Sequence, residues 1–386
     1  MRRGGSSVLA ARVRRGRWLA LAAGILLAAA SLAACGDEDG APHGSLAVGL
    51  TEFDPALLTG ARGRALRPRY ARIYVLWSAV QPRRGMEPDW DARGTAGFAP
   101  RAQLRAARAV GAEPVATFYS TPPWAARPGG GCEPPRPNPN ARAPRADALP
   151  EYSRMVRSFL EMARAEGVGV RWLSAWNEPN SGLFLAPQRA ACEPGSPSGG
   201  AALYAPIARA MREALAAAPG RQDLLVGEAS APFEPRPLVS SVNEFVGGLP
   251  RDVLCAGDVW AQHQYAYDAD GVAEVKPLLR AIGCAPRRIW VTETGAGARR
   301  PGAARSHAPA RLRLACRDLH RMLRRWWRDP RVEAAFQYTL REDPNFPVGL
   351  AASADDRPYP TYALWRAWGA RAEPADPPPP LPAACR

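Results

Sequence analysis

Residues 100–119 read PRAQLRAARAVGAEPVATFY, and the two halves obey different periods. From 100 to 110, alanine, leucine and arginine recur with a helical spacing; from 113 to 119, the run EPVATFY is short, apolar and rich in β-branched and aromatic residues. The first half predicts a helix and the second a strand. Just upstream, ARIYVLW (71–77) is another such strand, so the stretch forms a strand–helix–strand unit.

The same alternation continues in both directions. Strands are predicted at 46–50, 71–77, 113–119, 171–176, 224–228, 258–263, 288–293 and 332–339. Helices are predicted at 100–110, 151–166, 201–217, 239–246, 273–282 and 309–327, with a short one within 55–68 and a last amphipathic piece at 361–368. Strands joined by helical crossovers pair in parallel, because an antiparallel neighbour would need only a hairpin. Eight such units over 46–369 predict an α/β fold, the (β/α)8 barrel, with long loops after strands three (122–149) and four (179–200). A doubly wound open sheet is the rival, but no glycine-rich fingerprint follows the first strand. The proline-rich stretch 370–386 reads as a tail without periodic structure that could wrap the barrel.

The chain has 386 residues, 47% hydrophobic and 23% charged, which excludes a disordered or collagen-like polymer. Its net charge of +15 invites a nucleic-acid partner, yet every basic residue except Lys276 is arginine and they are spread throughout. With 41 prolines and 35 glycines this is a compositional bias, and no zinc-finger spacing or RNA-binding aromatic signature accompanies it, so no nucleic-acid partner is expected.

The first 34 residues read as an export signal. Residues 1–17 hold six arginines and no acid, 18–30 (WLALAAGILLAAA) are apolar, and small residues lead to Cys35. Leu32-Ala33-Ala34-Cys35 resembles the bacterial lipoprotein box, which implies lipidation of Cys35, a flexible tether over 35–45 and attachment to the outer face of the cell membrane, or secretion. A signal-anchor helix is the alternative, although the apolar run is shorter than the ~20 residues of a membrane span. Arg14-Arg15 weakly suggests twin-arginine export. Six cysteines remain after Cys35, none in a CxxC pair, which favours disulfides over a structural zinc site.

Strand four runs out through Trp176-Asn177-Glu178-Pro179-Asn180, and strand seven through Thr292-Glu293-Thr294-Gly295. Each puts a glutamate at the C-terminal tip of a barrel strand, on the face where such barrels hold their active sites. Two carboxyls across a cleft can divide the acid and nucleophile roles of glycoside hydrolysis. Glu52 and Glu228 also fall at strand tips and are the fallback candidates should the strand registers differ.

These motifs resemble those of the retaining glycoside hydrolases of clan A, most closely the family 5 and family 39 barrels, and the resemblance spans 46–368. It implies Glu178 as acid/base, Glu293 as nucleophile and Asn177 as donor to the sugar 2-hydroxyl. Arg72 on strand two matches the clan's arginine beside the nucleophile, and His263-Gln264-Tyr265 its His-x-Tyr. Trp77, Tyr119, Trp124 and Tyr338 lie at or beyond strand ends, as sugar-stacking platforms or as packing under loops. Where many clan members carry a tryptophan on strand eight, this chain has Phe336-Gln337-Tyr338, so Tyr338 or Phe336 would have to serve. The implied activity is cleavage of β-type linkages in an oligo- or polysaccharide by a monomer that needs no cofactor or metal. A carbohydrate-binding lipoprotein that has lost catalysis, or an envelope-glycan transglycosylase, would carry the same residues. Placed on the barrel, the cysteines predict three bridges: Cys132–Cys192 between the two long loops, Cys255–Cys284 on the opposite face, and Cys316–Cys385 from the last long helix to the tail.

Overall fold

The computed structural model describes residues 44–93, 99–193, 195–232, 235–283, 288–297 and 303–386. Residues 1–43 and Cys284 lie outside these, and with them the expected export signal, lipidation of Cys35, most of the expected tether and the expected Cys255–Cys284 pairing. Among the described residues no helix is long and apolar enough to cross a membrane.

Eight parallel strands close into a barrel in chain order, β1 pairing with β8. They are β1 (Ala47–Thr51), β2 (Tyr70–Leu76), β3 (Glu113–Tyr119), β4 (Trp172–Ser174), β5 (Asp223–Ala229), β6 (Val259–His263), β7 (Arg288–Thr294) and β8 (Val332–Tyr338). The crossovers are α1 (Pro55–Thr59) and α2 (Ala61–Leu66), then α3 (Trp77–Val80), α4 (Pro100–Ala109), α5 (Leu149–Ala165), α6 (Gly200–Ala217), α7 (Val242–Gly248), α8 (Arg251–Leu254), α9 (Gly271–Ile282) and α10 (Pro309–Arg328), with α11 (Pro360–Gly369) closing the ring. Prolines at the first turn start α4, α10 and α11, where the missing N–H costs no hydrogen bond. A reciprocal Ser241–Glu244 capping box starts α7.

Inside the barrel, alternate residues of each strand face the axis. The lower layers are apolar and aromatic: Tyr70, Trp172, Trp290 and Phe336 are buried together, with Trp172–Trp290 and Tyr70–Trp290 ring centroids 4.5 and 4.8 Å apart. Gly49 of β1 makes room for this plug, since a Cβ there would meet the Phe336 ring at 2.4 Å. The plug closes one end of the barrel, and the buried polar side chains of the interior lie above it, toward the C-terminal mouth.

Two of the expected bridges are present. Cys132–Cys192 ties the loop after β3 to the loop after β4, and Cys316–Cys385 ties the tail to α10. The tail itself packs under the barrel: Leu46 donates its N–H to Pro374 at 3.0 Å, and the Trp327 indole donates to the Asp376 carbonyl at 3.1 Å.

Candidate active site

On β2 the inward positions are Tyr70, Arg72 and Tyr74. Tyr70 belongs to the aromatic floor, and Arg72 lies directly above it with 1% of its surface exposed. The guanidinium spends its fork on five acceptors. Nε donates to Glu228 Oε1 (3.0 Å) and Thr117 Oγ1 (3.1 Å), Nη1 to Glu293 Oε1 (2.6 Å) and the Tyr74 hydroxyl, and Nη2 to Asn177 Oδ1 (2.8 Å). A buried arginine so paired stays charged, and its fork fixes both carboxylates in place.

Glu293 reaches the axis through an irregularity. Trp290 faces inward, so strict alternation would turn Glu293 outward. Against β6, however, Val291 pairs with Gln262 and Glu293 with His263, so β7 carries one extra residue. That bulge reverses the parity and points Glu293 into the mouth. Its Oε1 accepts from Arg72 and from Tyr74 (2.5 Å), and its Oε2 from Tyr265 (2.5 Å). Burial alone would raise its pKa, but His263, Arg72 and the two tyrosine hydroxyls outweigh it and hold the carboxyl at about 2.

Glu178 follows β4 with a left-handed backbone (φ 40°). The next turn is pinned by Asn180, whose amide donates to the Ser240 carbonyl (3.0 Å) while its oxygen accepts from the Ser230 N–H (2.8 Å). Left-handed conformations at non-glycine residues persist where the surroundings hold them. The Glu178 carboxylate meets His263 Nδ1 at 2.8 Å and keeps 17% of its side-chain surface exposed, against 8% for Glu293. One carboxylate oxygen of each glutamate and a His263 nitrogen all lie within 4.8 Å of one another. Burial works against an imidazolium at His263, but the Glu293 and Glu178 carboxylates more than offset it and raise its pKa. A three-ligand metal site could be drawn here, yet both Glu293 oxygens already accept from donors, Arg72 and Tyr74 on Oε1 and Tyr265 on Oε2.

The structure therefore brings Arg72, Asn177, Glu178, His263, Tyr265 and Glu293 together at one mouth. Tyr119 and Tyr338 join them around Tyr74: the Tyr119 ring stands edge-on to Tyr74 at 5.3 Å, and Phe53 bridges from Tyr74 to Tyr338 (5.3 and 5.5 Å). Burial pushes the Tyr119 hydroxyl up to about 12. Trp77 needs correction as a stacking platform. It begins α3 instead of ending β2, it is wholly buried, and its ring packs edge-on against Trp124 and Tyr152. Trp124 is half-buried on the same cluster, its indole donating to the Gln81 carbonyl (3.0 Å). Phe336 lies in the floor and cannot meet a sugar. Glu52 is a structural acid: it accepts the N–H groups of Asp54, Leu340 and Arg341 at 3.0, 3.0 and 3.1 Å, and burial lifts it to about 7.

Tyr74 and Thr117 were not singled out from the sequence, although Tyr74 stands two residues after Arg72 and so had to share its inward face. A groove of about 740 Å³ opens beside the mouth, with Tyr119 in its wall together with Asn138, Asn140, Leu183 and Phe184. Leu183 is 62% exposed, a large apolar side chain offered to whatever fills the groove. Another hollow, about 520 Å³, lies outside the barrel between α5 and α6 and contains none of these residues.

No protein-family model and no curated protein matches the chain. Solved structures do. A family 39 glycoside hydrolase from Bacteroides cellulosilyticus WH2 is 14% identical with a TM-score of 0.57, over 86% of this chain and 65% of that one. A family 30 endoxylanase from Clostridium papyrosolvens C71 is 13% identical with a TM-score of 0.53, over 86% and 72%. A family 5 glycoside hydrolase from Bifidobacterium longum, solved with Manb1-4GlcNAc, is 13% identical with a TM-score of 0.52, over 86% and 80%. The chain thus spans 65% of the length of the family 39 protein. At such identities the likeness speaks for the fold, a (β/α)8 barrel shared with glycoside hydrolases.

Proposed function

We propose that this protein is a retaining glycosidase acting on β-linked oligo- or polysaccharides. The observation that carries the proposal is that one carboxylate oxygen of Glu178 and one of Glu293 lie within 4.8 Å of each other, too close to admit the spacing of an inverting pair. Retaining enzymes hold their pair about 5–5.5 Å apart, whereas inverting ones leave about 6.5–9.5 Å for a water. Glu293, held ionised by Arg72, Tyr74 and Tyr265, attacks the anomeric carbon. The bond to the leaving oxygen breaks with its electron pair, and that oxygen takes a proton from Glu178. Glu178 then accepts a proton from water, which displaces the sugar from Glu293. His263 touches both carboxylates and couples their charges. Asn177, fixed by its oxygen on Arg72, has its amide N–H groups left to meet a sugar hydroxyl.

The groove along Tyr119 favours a substrate longer than one ring. The two disulfides fit a protein that matures in an oxidising compartment, in keeping with export and lipidation at Cys35. Loss of labelled-lipid incorporation in Cys35→Ala tests the anchor.

For the chemistry, the test is a series of aryl β-glycosides of differing leaving-group pKa. In kcat/KM, which reports attachment of the sugar, Glu178→Ala loses most on poor leaving groups and little on activated ones; kcat on activated ones falls because the water step has lost its base, and azide restores it as a β-glycosyl azide. Equal loss across the series removes Glu178 from the acid role.

A further inference from the structure

Glu228 is the extra residue in β5: Gly227 pairs with Ala261 and Ala229 with Gln262, leaving Glu228 between them with φ 53°. Its side chain is wholly buried. Oε1 accepts from Arg72 Nε and Thr117 Oγ1, both at 3.0 Å, while buried Oε2 has no hydrogen-bond partner. Its backbone carbonyl accepts the Glu178 N–H at 3.1 Å. No step of the reaction above consumes this carboxylate, and burying one is costly without a reason.

Charge balance supplies the reason. Arg72 faces two carboxylates, Glu228 on Nε and Glu293 on Nη1, and its other acceptors are neutral. When Glu293 bonds to the anomeric carbon it becomes an ester. The negative charge it loses reappears on Glu178, whose proton has left with the departing alcohol. Without Glu228, Arg72 would then be a buried cation with no carboxylate on its fork. We infer that Glu228 is a positioning residue that holds the charge and orientation of Arg72 while the sugar is attached to Glu293, an inference that rests on the glycosidase proposal for its kinetic consequence.

The hold itself can be tested without any sugar. Glu228→Gln and Glu293→Gln each leave Arg72 one carboxylate; the double variant leaves none. The expected fall in Tm of the double variant exceeds the sum of the single falls by roughly 3 °C or more. Adding Arg72→Met to the double variant removes the stranded cation and recovers Tm. Additive single effects, or a triple variant no more stable than the double one, overturn the inference; a double variant that fails to fold while the triple variant folds supports it. With a 2-deoxy-2-fluoro glycoside as probe, the adduct of Glu228→Gln turns over roughly tenfold faster than that of the wild type, because the covalent stage has lost its counter-charge. An adduct of unchanged lifetime contradicts the role. Failure of the wild type to form an adduct would count against the reaction alone, and the thermal cycle would still decide the pairing.

Discussion

Replacing Tyr265 by phenylalanine removes one oxygen and keeps the ring, which stacks on Tyr267 (centroids 5.7 Å) and meets Phe346 edge-on (4.8 Å). The lost contact is a 2.5 Å hydrogen bond to Glu293 Oε2. A hydrogen bond to a charged acceptor contributes about 1.5–3 kcal/mol. At about 1.4 kcal/mol per pKa unit that is a rise of about 1–2 units in the Glu293 pKa. The carboxyl, held at about 2 in the native protein, would then titrate near pH 3–4. The direction follows from the group: Glu293 is needed ionised, so raising its pKa moves the acid limb of kcat/KM upward. Linkage has the same sign. The stability contributed by this depressed carboxyl is present above its ordinary value of 4.5 and is lost as pH falls toward about 2, and the variant forfeits part of it. The assay is kcat/KM on an activated aryl β-glycoside from pH 2.5 to 7, with circular dichroism at each pH to confirm folding. An acid limb unmoved in Tyr265→Phe, with the fold intact, refutes the account of how Glu293 is kept ionised.

Asn177→Ala should lower kcat/KM by roughly a hundredfold on a substrate with a 2-hydroxyl and far less on its 2-deoxy counterpart, read by comparing the two. Glu52, raised from 4.5 to about 7, contributes stability that is complete below pH 4.5 and lost as pH rises through 7. Glu52→Gln should flatten that slope, worth about 3 kcal/mol, in urea unfolding at pH 4.5 and 8. Leu183→Asp should reduce kcat/KM on long oligosaccharides while leaving short aryl glycosides within about twofold, because the side chain borders the groove and touches none of the reacting groups. Replacing both Cys132 and Cys192 with serine opens a link across 60 residues, and chain entropy puts the loss near 4 kcal/mol, measurable by denaturant unfolding.

The barrel could be read from sequence because its signal is periodic: runs such as ARIYVLW and EPVATFY, buried on both faces, alternate with arginine-rich amphipathic helices. Asn177-Glu178 and Glu293 could be placed at strand tips for the same reason. The extra residues in β5 and β7 were not legible, since a bulge changes the pairing of a strand without changing its composition. Those bulges decide that Glu293 and Glu228 face the axis. Trp77 misled because a strand's last aromatic and a helix's first look alike in sequence; only the turn of α3 sends its ring under the loops. Tyr74 was within reach, since alternation from Arg72 places it inward, but nothing in its neighbourhood of apolar residues marked it as polar chemistry.

The central claim is that Glu293 becomes covalently joined to sugar. Incubation with a panel of 2-deoxy-2-fluoro β-glycosides, followed by mass spectrometry of the intact protein and its peptides, measures this directly. One added fluorosugar on the peptide bearing Glu293, absent in Glu293→Gln, is the predicted result. An adduct on Glu178 or Glu228, or hydrolysis of aryl glycosides that persists undiminished in Glu293→Gln, would contradict it.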